Sequence, residues 1–153
     1  MSYLGIALWQ FDLFVRLFIY LMYSCRLKGV AVKKISDDLV TLTIDNSARA
    51  IRFSAGQYMM LYIPRAGLFD SHPLSISTDP HQKNVVFFAK KQGRWTSNLI
   101  KAIEKSETLS MFINGPYGSL SVDFENPKKK VFLFVCGGVG VTPIKSACQQ
   151  LIY

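Results

Sequence analysis

Histidine is almost missing from this chain of 153 residues: only His72 and His81 occur, too few for a bis-histidine haem pair to be built readily. Cysteine is scarce too. Cys25, Cys136 and Cys148 are odd in number and lack metal-ligand spacing, which argues against a zinc site and a paired disulfide framework. They fit a reduced, cytosol-facing protein, and no metal is expected. A basic n-region and a small-residue cleavage site are both absent, so the apolar start does not read as a signal peptide. There is no internal repeat and no low-complexity stretch. Acidic residues are few, 10 against 18 Lys and Arg, for a net charge of +8. Such a balance favours an anionic partner: a membrane surface, a phosphorylated cofactor or nucleic acid. The cations are scattered and no nucleic-acid motif occurs, which sets nucleic acid aside. The densest basic run, Lys128-Lys129-Lys130, lies beside Pro127 and reads as a solvated turn.

Hydrophobic residues make up 50% of the chain, ample for one core, and the length allows about one domain and part of another. The first 26 residues form an apolar segment of their own. Residues 3–23 are apolar and aromatic almost throughout, long enough to span a bilayer. Gln10, Asp12 and Arg16 interrupt the run, and an Asp or Arg near a helix centre costs roughly 2.5–3.5 kcal/mol on insertion scales. Asp12 and Arg16 are four apart and can pair on a helix. Arg26, Lys28, Lys33 and Lys34 follow, as where a segment emerges on the cytoplasmic side of a membrane. Two readings stay open: an amphipathic or buried helix docked on the next domain, or the inner end of a last membrane helix.

From residue 27 to residue 120 the pattern turns strand-like. Val30–Val32, Leu39–Ile44, Tyr58–Ile63, Val85–Ala89 and Thr108–Ile113 are short β-prone runs separated by turn residues. Strands at this spacing predict a small antiparallel barrel. One helix interrupts it, Ser97 to Lys105, with Thr96 as its N-cap. Residues 128–153 then supply an apolar run, Val131 to Val135, expected as a buried strand. A glycine-rich turn and the start of a helix follow it, as at the opening of an α/β nucleotide-binding domain.

Four local patterns carry chemistry. His72-Pro73-Leu74-Ser75 has a stiffened backbone, because Pro fixes its own φ and holds the residue before it extended; Ser75 adds a hydroxyl that donates or accepts. Lys90-Lys91-Gln92-Gly93-Arg94-Trp95-Thr96-Ser97 sets cations and a Gly turn around a helix N-terminus, which suits a pyrophosphate, although an ordinary capped helix with solvated neighbours has the same pattern. Gly115-Pro116-Tyr117-Gly118 is a tight turn. Gly137-Gly138-Val139-Gly140-Val141-Thr142-Pro143 joins strand to helix with residues small enough for backbone N–H groups to approach a phosphate.

In this order and spacing the four patterns resemble the flavin reductase module of NADPH oxidases and ferric-chelate reductases, within the ferredoxin–NADP reductase superfamily. Gly56-Gln57-Tyr58 resembles that family's early barrel strand, and Trp9-Gln10-Phe11-Asp12 with Arg16 its juxtamembrane helix end. The resemblance implies an all-β antiparallel Greek-key barrel binding FAD, preceded by the apolar helix and followed by a truncated NADP-binding domain. It implies that His72, Pro73, Leu74 and Ser75 line the isoalloxazine ring, His72 and Ser75 being the catalytic pair with the Ser75 hydroxyl near flavin N5. Ser77, Lys90, Gly93, Trp95 and Thr96 would complete the FAD site, Lys90 at the phosphates and Thr96 at the pyrophosphate helix. Pro116, Gly137, Gly138, Gly140 and Thr142 would meet the NADPH pyrophosphate.

The activity so implied passes electrons from NADPH through FAD to haem, and on to oxygen or ferric iron. Haem belongs to the wider family architecture, through association with a haem-bearing membrane domain, and is not expected on this chain. The expected location is a membrane, with the flavin domain on its cytoplasmic side. A second reading is a truncated, non-catalytic fragment that binds FAD or a membrane. A third is a soluble flavoprotein of the cytochrome b5 reductase type, which usually carries Arg-x-Tyr-Ser in place of His-Pro-x-Ser.

Overall fold

The computed structural model describes residues 3–23, 25–67, 70–122 and 131–152. Within α1 (Tyr3–Tyr23), the side chains of residues 16, 17 and 19–23 lie outside the description, and with them the expected Asp12–Arg16 pair. The Lys128–Lys130 turn lies outside it as well.

Six antiparallel strands form one sheet in the order β4-β3-β6-β1-β2-β5. They are β1 (Cys25–Lys34), β2 (Leu39–Asp45), β3 (Tyr58–Tyr62), β4 (Ser71–Ser75), β5 (Asn84–Lys90) and β6 (Thr108–Tyr117). Past β4 the chain swings to the opposite edge: Ile76 bridges to Phe87, and the Ser77 N–H donates to the Val86 carbonyl at 2.9 Å. That contact curls the sheet into a near-barrel and relieves two edges of unpaired backbone at once.

Alternation makes the core. In β5, Val85, Phe87 and Ala89 are buried while the residues between them are half-exposed, the period-2 pattern of a sheet with one dry face. Val40, Leu42, Met59, Leu61, Ile76, Phe87 and Met111 fill the interior. The barrel end is covered by α2 (Arg94–Ile103), whose Trp95, Leu99, Ile100, Ala102 and Ile103 are buried. At Gly56, φ is +79° and the Leu120 side chain lies where a Cβ would be. Only glycine satisfies both conditions.

Two expectations need correction. The inner helix starts one turn earlier than predicted, at Arg94, and its N-cap is Gly93. Thr96 is the third helical residue and reaches back: its Oγ1 accepts the Gln92 N–H at 2.9 Å and the Gly93 N–H at 3.1 Å. Such reach-back from the third helical position is one arm of a capping box, so the hydroxyl caps the helix from inside it.

The expected strand over 131–135 does not form. Residues 131–137 carry no regular structure, and Val131, Leu133 and Val135 are 86%, 88% and 84% exposed. A strand exists only through its ladder, and no described strand pairs with this segment.

The helix after the glycine turn is present as α3 (Val141–Ile152). It docks on the barrel through buried Thr142, Ser146 and Ala147. By contrast, α1 presents Leu4, Leu8, Trp9, Phe11 and Phe14 to solvent, and its described side chains are almost all exposed. Among the described residues no helix is long and apolar enough to cross a membrane.

Candidate cofactor site

The His-Pro-Leu-Ser run is β4 itself, and its register decides where each side chain goes. Cross-strand partners share a face. Ser75 pairs with Tyr58, and Tyr58 with Tyr117, so these three form a row across β4, β3 and β6. Pro73 joins the same outer face through Met60. His72 and Leu74 pair with Leu61 and Met59, both buried, and so turn the other way. His72 and Ser75, three residues apart, therefore project from opposite faces of the strand.

On the inner face His72 meets α2. Its imidazole stacks on the Trp95 indole with centroids 4.3 Å apart and planes tilted by 33°. The indole is buried, and its Nε1 has no hydrogen-bond partner among the described residues. Beside it lies the α2 N-terminus, where Arg94, Trp95 and Thr96 have N–H groups without intrahelical acceptors. Lys91, Arg94 and Gly93 are exposed there, and the Ser97 hydroxyl donates to the Gly93 carbonyl at 2.8 Å. Free amide donors, a helix dipole and exposed cations make this end receptive to a phosphate. On the outer face the rings of Tyr58 and Tyr117 are 5.8 Å apart, and the Tyr117 hydroxyl bonds Asn114. Pro116 adjoins them, half-buried. Nothing in their spacing marks Tyr58 and Tyr117 as a pair; only the register does.

The glycine turn forms a second locus. Residues 138–140 make one 3-10 turn leading into α3, with Gly138 at φ +55°. The Gly140 N–H donates to the Gly137 carbonyl at 3.0 Å. Gly137, Gly138 and Gly140 are exposed, and no atom outside the turn crowds a Cβ at any of the three. Thr142 is different: it is buried, and its hydroxyl donates to the Val139 carbonyl at 2.8 Å. Lys90, expected at the flavin phosphates, lines a cleft of about 290 Å3 with Leu39, Phe88, Gly138, Thr142 and Lys145. Its ammonium is 3.7 Å from the Asp38 carboxylate. Asp38 is held below the ordinary carboxylate range, first by the Ser36 hydroxyl and then by Lys90.

Ser77 is fully enclosed, and its hydroxyl has no partner among the described residues. The site residues thus fall into three groups: Ser75 and Pro73 outside, His72 with Trp95, Gly93 and Thr96 at the helix tip, and Lys90 with the glycine turn. His81 has a structural part. Its backbone N–H and ring Nδ1 both meet Asp79 Oδ1, at 2.6 and 2.8 Å, fixing the turn before β5. No cluster of metal-ligating residues occurs among the described residues.

The family profile described as "FAD-binding domain" matches residues 23–121. The chain belongs to the FAD-binding domain family. Sequence relatives of this FAD-binding domain include "Ferric reduction oxidase 2" of Arabidopsis thaliana, 28% identical over 97% of the chain and 20% of that protein. "NADPH oxidase 1" of Rattus norvegicus is 27% identical over 86% of the chain and 23% of that protein. "Probable ferric reductase transmembrane component" of Candida albicans is 30% identical over 96% and 22%. The chain therefore spans about a fifth of the length of each. Among solved structures, a ferredoxin NADP+ reductase from Neisseria gonorrhoeae with bound FAD and NADP superposes with TM-score 0.66 at 20% identity, over 84% of this chain and 51% of that one. Phthalate dioxygenase reductase gives 0.67 at 24%, over 84% and 40%. At these identities the structural likeness shows the fold, a ferredoxin–NADP+ reductase type of flavin barrel.

Proposed function

We propose that this chain is the flavin-binding portion of a membrane oxidoreductase. In that enzyme electrons pass from NADPH through FAD to haem, and then to oxygen or ferric iron. The observation that carries the reading is the stacked His72–Trp95 pair, which joins the His-Pro-Leu-Ser strand to a helix tip with free amide donors. The residues fit the cofactor: an orphaned indole N–H, exposed cations and a row of outward side chains on β4 are the groups a ring with a diphosphate tail needs.

FAD, when bound, supplies the step from hydride to single-electron chemistry. This chain's residues hold and orient it. The α2 N-terminus, Gly93 and Thr96 take the pyrophosphate. Pro73 and Ser75 would lie along the ring from the outer face of β4, with the Ser75 hydroxyl available to the flavin, while His72 and Leu74 would hold the strand from its inner face, His72 against Trp95. Ser77 backs the strand from behind. On this reading residues 27–120 are the Greek-key flavin barrel, and residues 128–153 open an NADP-binding domain, with the glycine turn and α3 as its first regular elements. Gly137, Gly138, Gly140 and Pro116 would face the NADPH pyrophosphate there, with Thr142 shaping the turn and Lys90 adding charge beside it. The apolar side chains exposed on α1 support contact with a membrane or a haem-bearing membrane domain, the barrel lying on the cytoplasmic side.

A second reading, a non-catalytic FAD-binding fragment, draws support from the exposed side chains of Val131, Leu133 and Val135. Purified chain titrated with FAD, followed by its visible spectrum and by NADPH oxidation with an added acceptor, separates the two. Bound flavin with turnover supports the enzyme, and bound flavin without turnover supports the binding module. Folded chain that stays colourless at saturating FAD overturns both.

A further inference from the structure

A cleft of about 390 Å3 lined by Arg65, Asn98, Lys101, Ala102 and Lys105 shares no residue with the flavin strand or the glycine turn. We propose that it binds a phosphorylated anion, a phosphate ester or diphosphate group, separately from FAD.

Lys101 sits in the last turn of α2 and Lys105 in the turn just past its end; both line the cleft, and like charges brought to one cleft repel each other. The helix dipole favours cations at that end and accounts for those two, but not for Arg65. That residue comes from the turn after β3, where the Ala66 and Gly67 N–H groups both donate to the Ile63 carbonyl, at 2.8 and 3.2 Å. Asn98 ties this turn to the helix, its Nδ2 donating to the Ala66 carbonyl at 3.1 Å. The tie holds the turn of Arg65 against α2, whose last turn carries Lys101 and whose exit turn carries Lys105.

Neutralisation within the fold goes elsewhere. Glu104, between the two lysines in sequence, pairs with Lys34 at 3.6 Å, and Lys34 also binds Asp37 at 2.9 Å. None of the three cleft cations pairs with a carboxylate among the described residues. A guanidinium fork beside two point charges matches the tetrahedral oxygens of phosphate. FAD brings one diphosphate, and a diphosphate held at Gly93 is about 12 Å along the helix from Lys101. The cleft is therefore distinct from the proposed seat of the flavin diphosphate.

Inorganic pyrophosphate titrated into the chain, with and without saturating FAD, and followed by backbone amide NMR, tests this. Saturable shifts over residues 65–67 and 98–105 are expected in both states. The double variant K101E/K105E should weaken them at least about tenfold with the flavin spectrum unchanged, and Arg65→Ala should weaken them on its own should the double variant misfold. Vesicles of neutral lipid, with and without phosphoinositide, identify the source. Phosphoinositide-dependent binding lost in K101E/K105E assigns a lipid headgroup, and a response to soluble pyrophosphate alone assigns a free phosphate. Absence of saturable binding, displacement by FAD, or equal binding by the variants overturns the proposal. Because the apo titration stands alone, a failure of flavin binding leaves the result readable.

Discussion

Thr96 is the most heavily used hydroxyl of the candidate site. It accepts two backbone N–H groups, from Gln92 and Gly93, and so fixes the loop that any phosphate at this helix would meet. Thr96→Ala removes both bonds and leaves these exposed donors to water, at a cost of about 1 kcal/mol, a fall in Tm of roughly 2–4 °C for a chain of this size. Thermal denaturation should show that fall, Thr96→Ser should restore most of it, and FAD titration should show weaker retention in the Ala variant. Acid exerts a separate effect. Asp37 is held low by its hydrogen bond to Lys34, Asp38 by the Ser36 hydroxyl and Asp45 by the Ser47 hydroxyl. Each has a folded pKa below its unfolded one, so its contribution is complete above the unfolded value and disappears as pH falls through the folded value. All three are exposed, so the decline should be shallow. Urea midpoints from pH 6 down to pH 3 should fall gently, and less so in a D37N/D45N variant.

Among the elements, α3 is tied to the barrel by a buried hydrogen bond, with Lys145 over the Phe88 ring beside it. The Ser146 hydroxyl donates to the Thr78 carbonyl at 2.6 Å in full burial, three residues beyond the flavin strand. Ser146→Ala strands that carbonyl, costing about 1–3 kcal/mol. Hydrogen exchange should quicken through α3 while β2 and β5 keep their protection; uniform loss across all elements would contradict a local latch. Legibility in the sequence followed the same division between local and distant causes. The strands β2, β5 and β6 were readable because Leu39–Ile44, Val85–Ala89 and Thr108–Ile113 are β-prone runs bounded by turn residues. The extent of β4 was not, since Pro73 blunts a strand signal and is tolerated where pairing is one-sided. The start of α2 was placed late because the reach-back of Thr96 is a three-dimensional fact. The apolar run over 131–135 shows the converse: a strand-like composition outside the six-stranded sheet. Of the site, residue types were legible, but the split of His72 and Ser75 onto opposite faces needed the register.

For the molecule as a whole, the described side chains of α1 are nearly all exposed. Removal of residues 1–23 should leave the unfolding free energy of the barrel, from urea titration, within about 0.5 kcal/mol of the parent. A large loss of stability would show that the helix packs on the barrel after all. The two tryptophans also divide between these parts. Trp9 on α1 is 65% exposed, whereas Trp95 is 4% exposed beneath the His72 ring. The protein thus carries two optical gauges, one reading red-shifted from water and one blue-shifted from the dry helix tip. In a Trp9→Phe background the surviving tryptophan emission reports on the tip of α2, the helix proposed to hold the flavin phosphates, and its quenching on FAD addition would follow occupancy without a label.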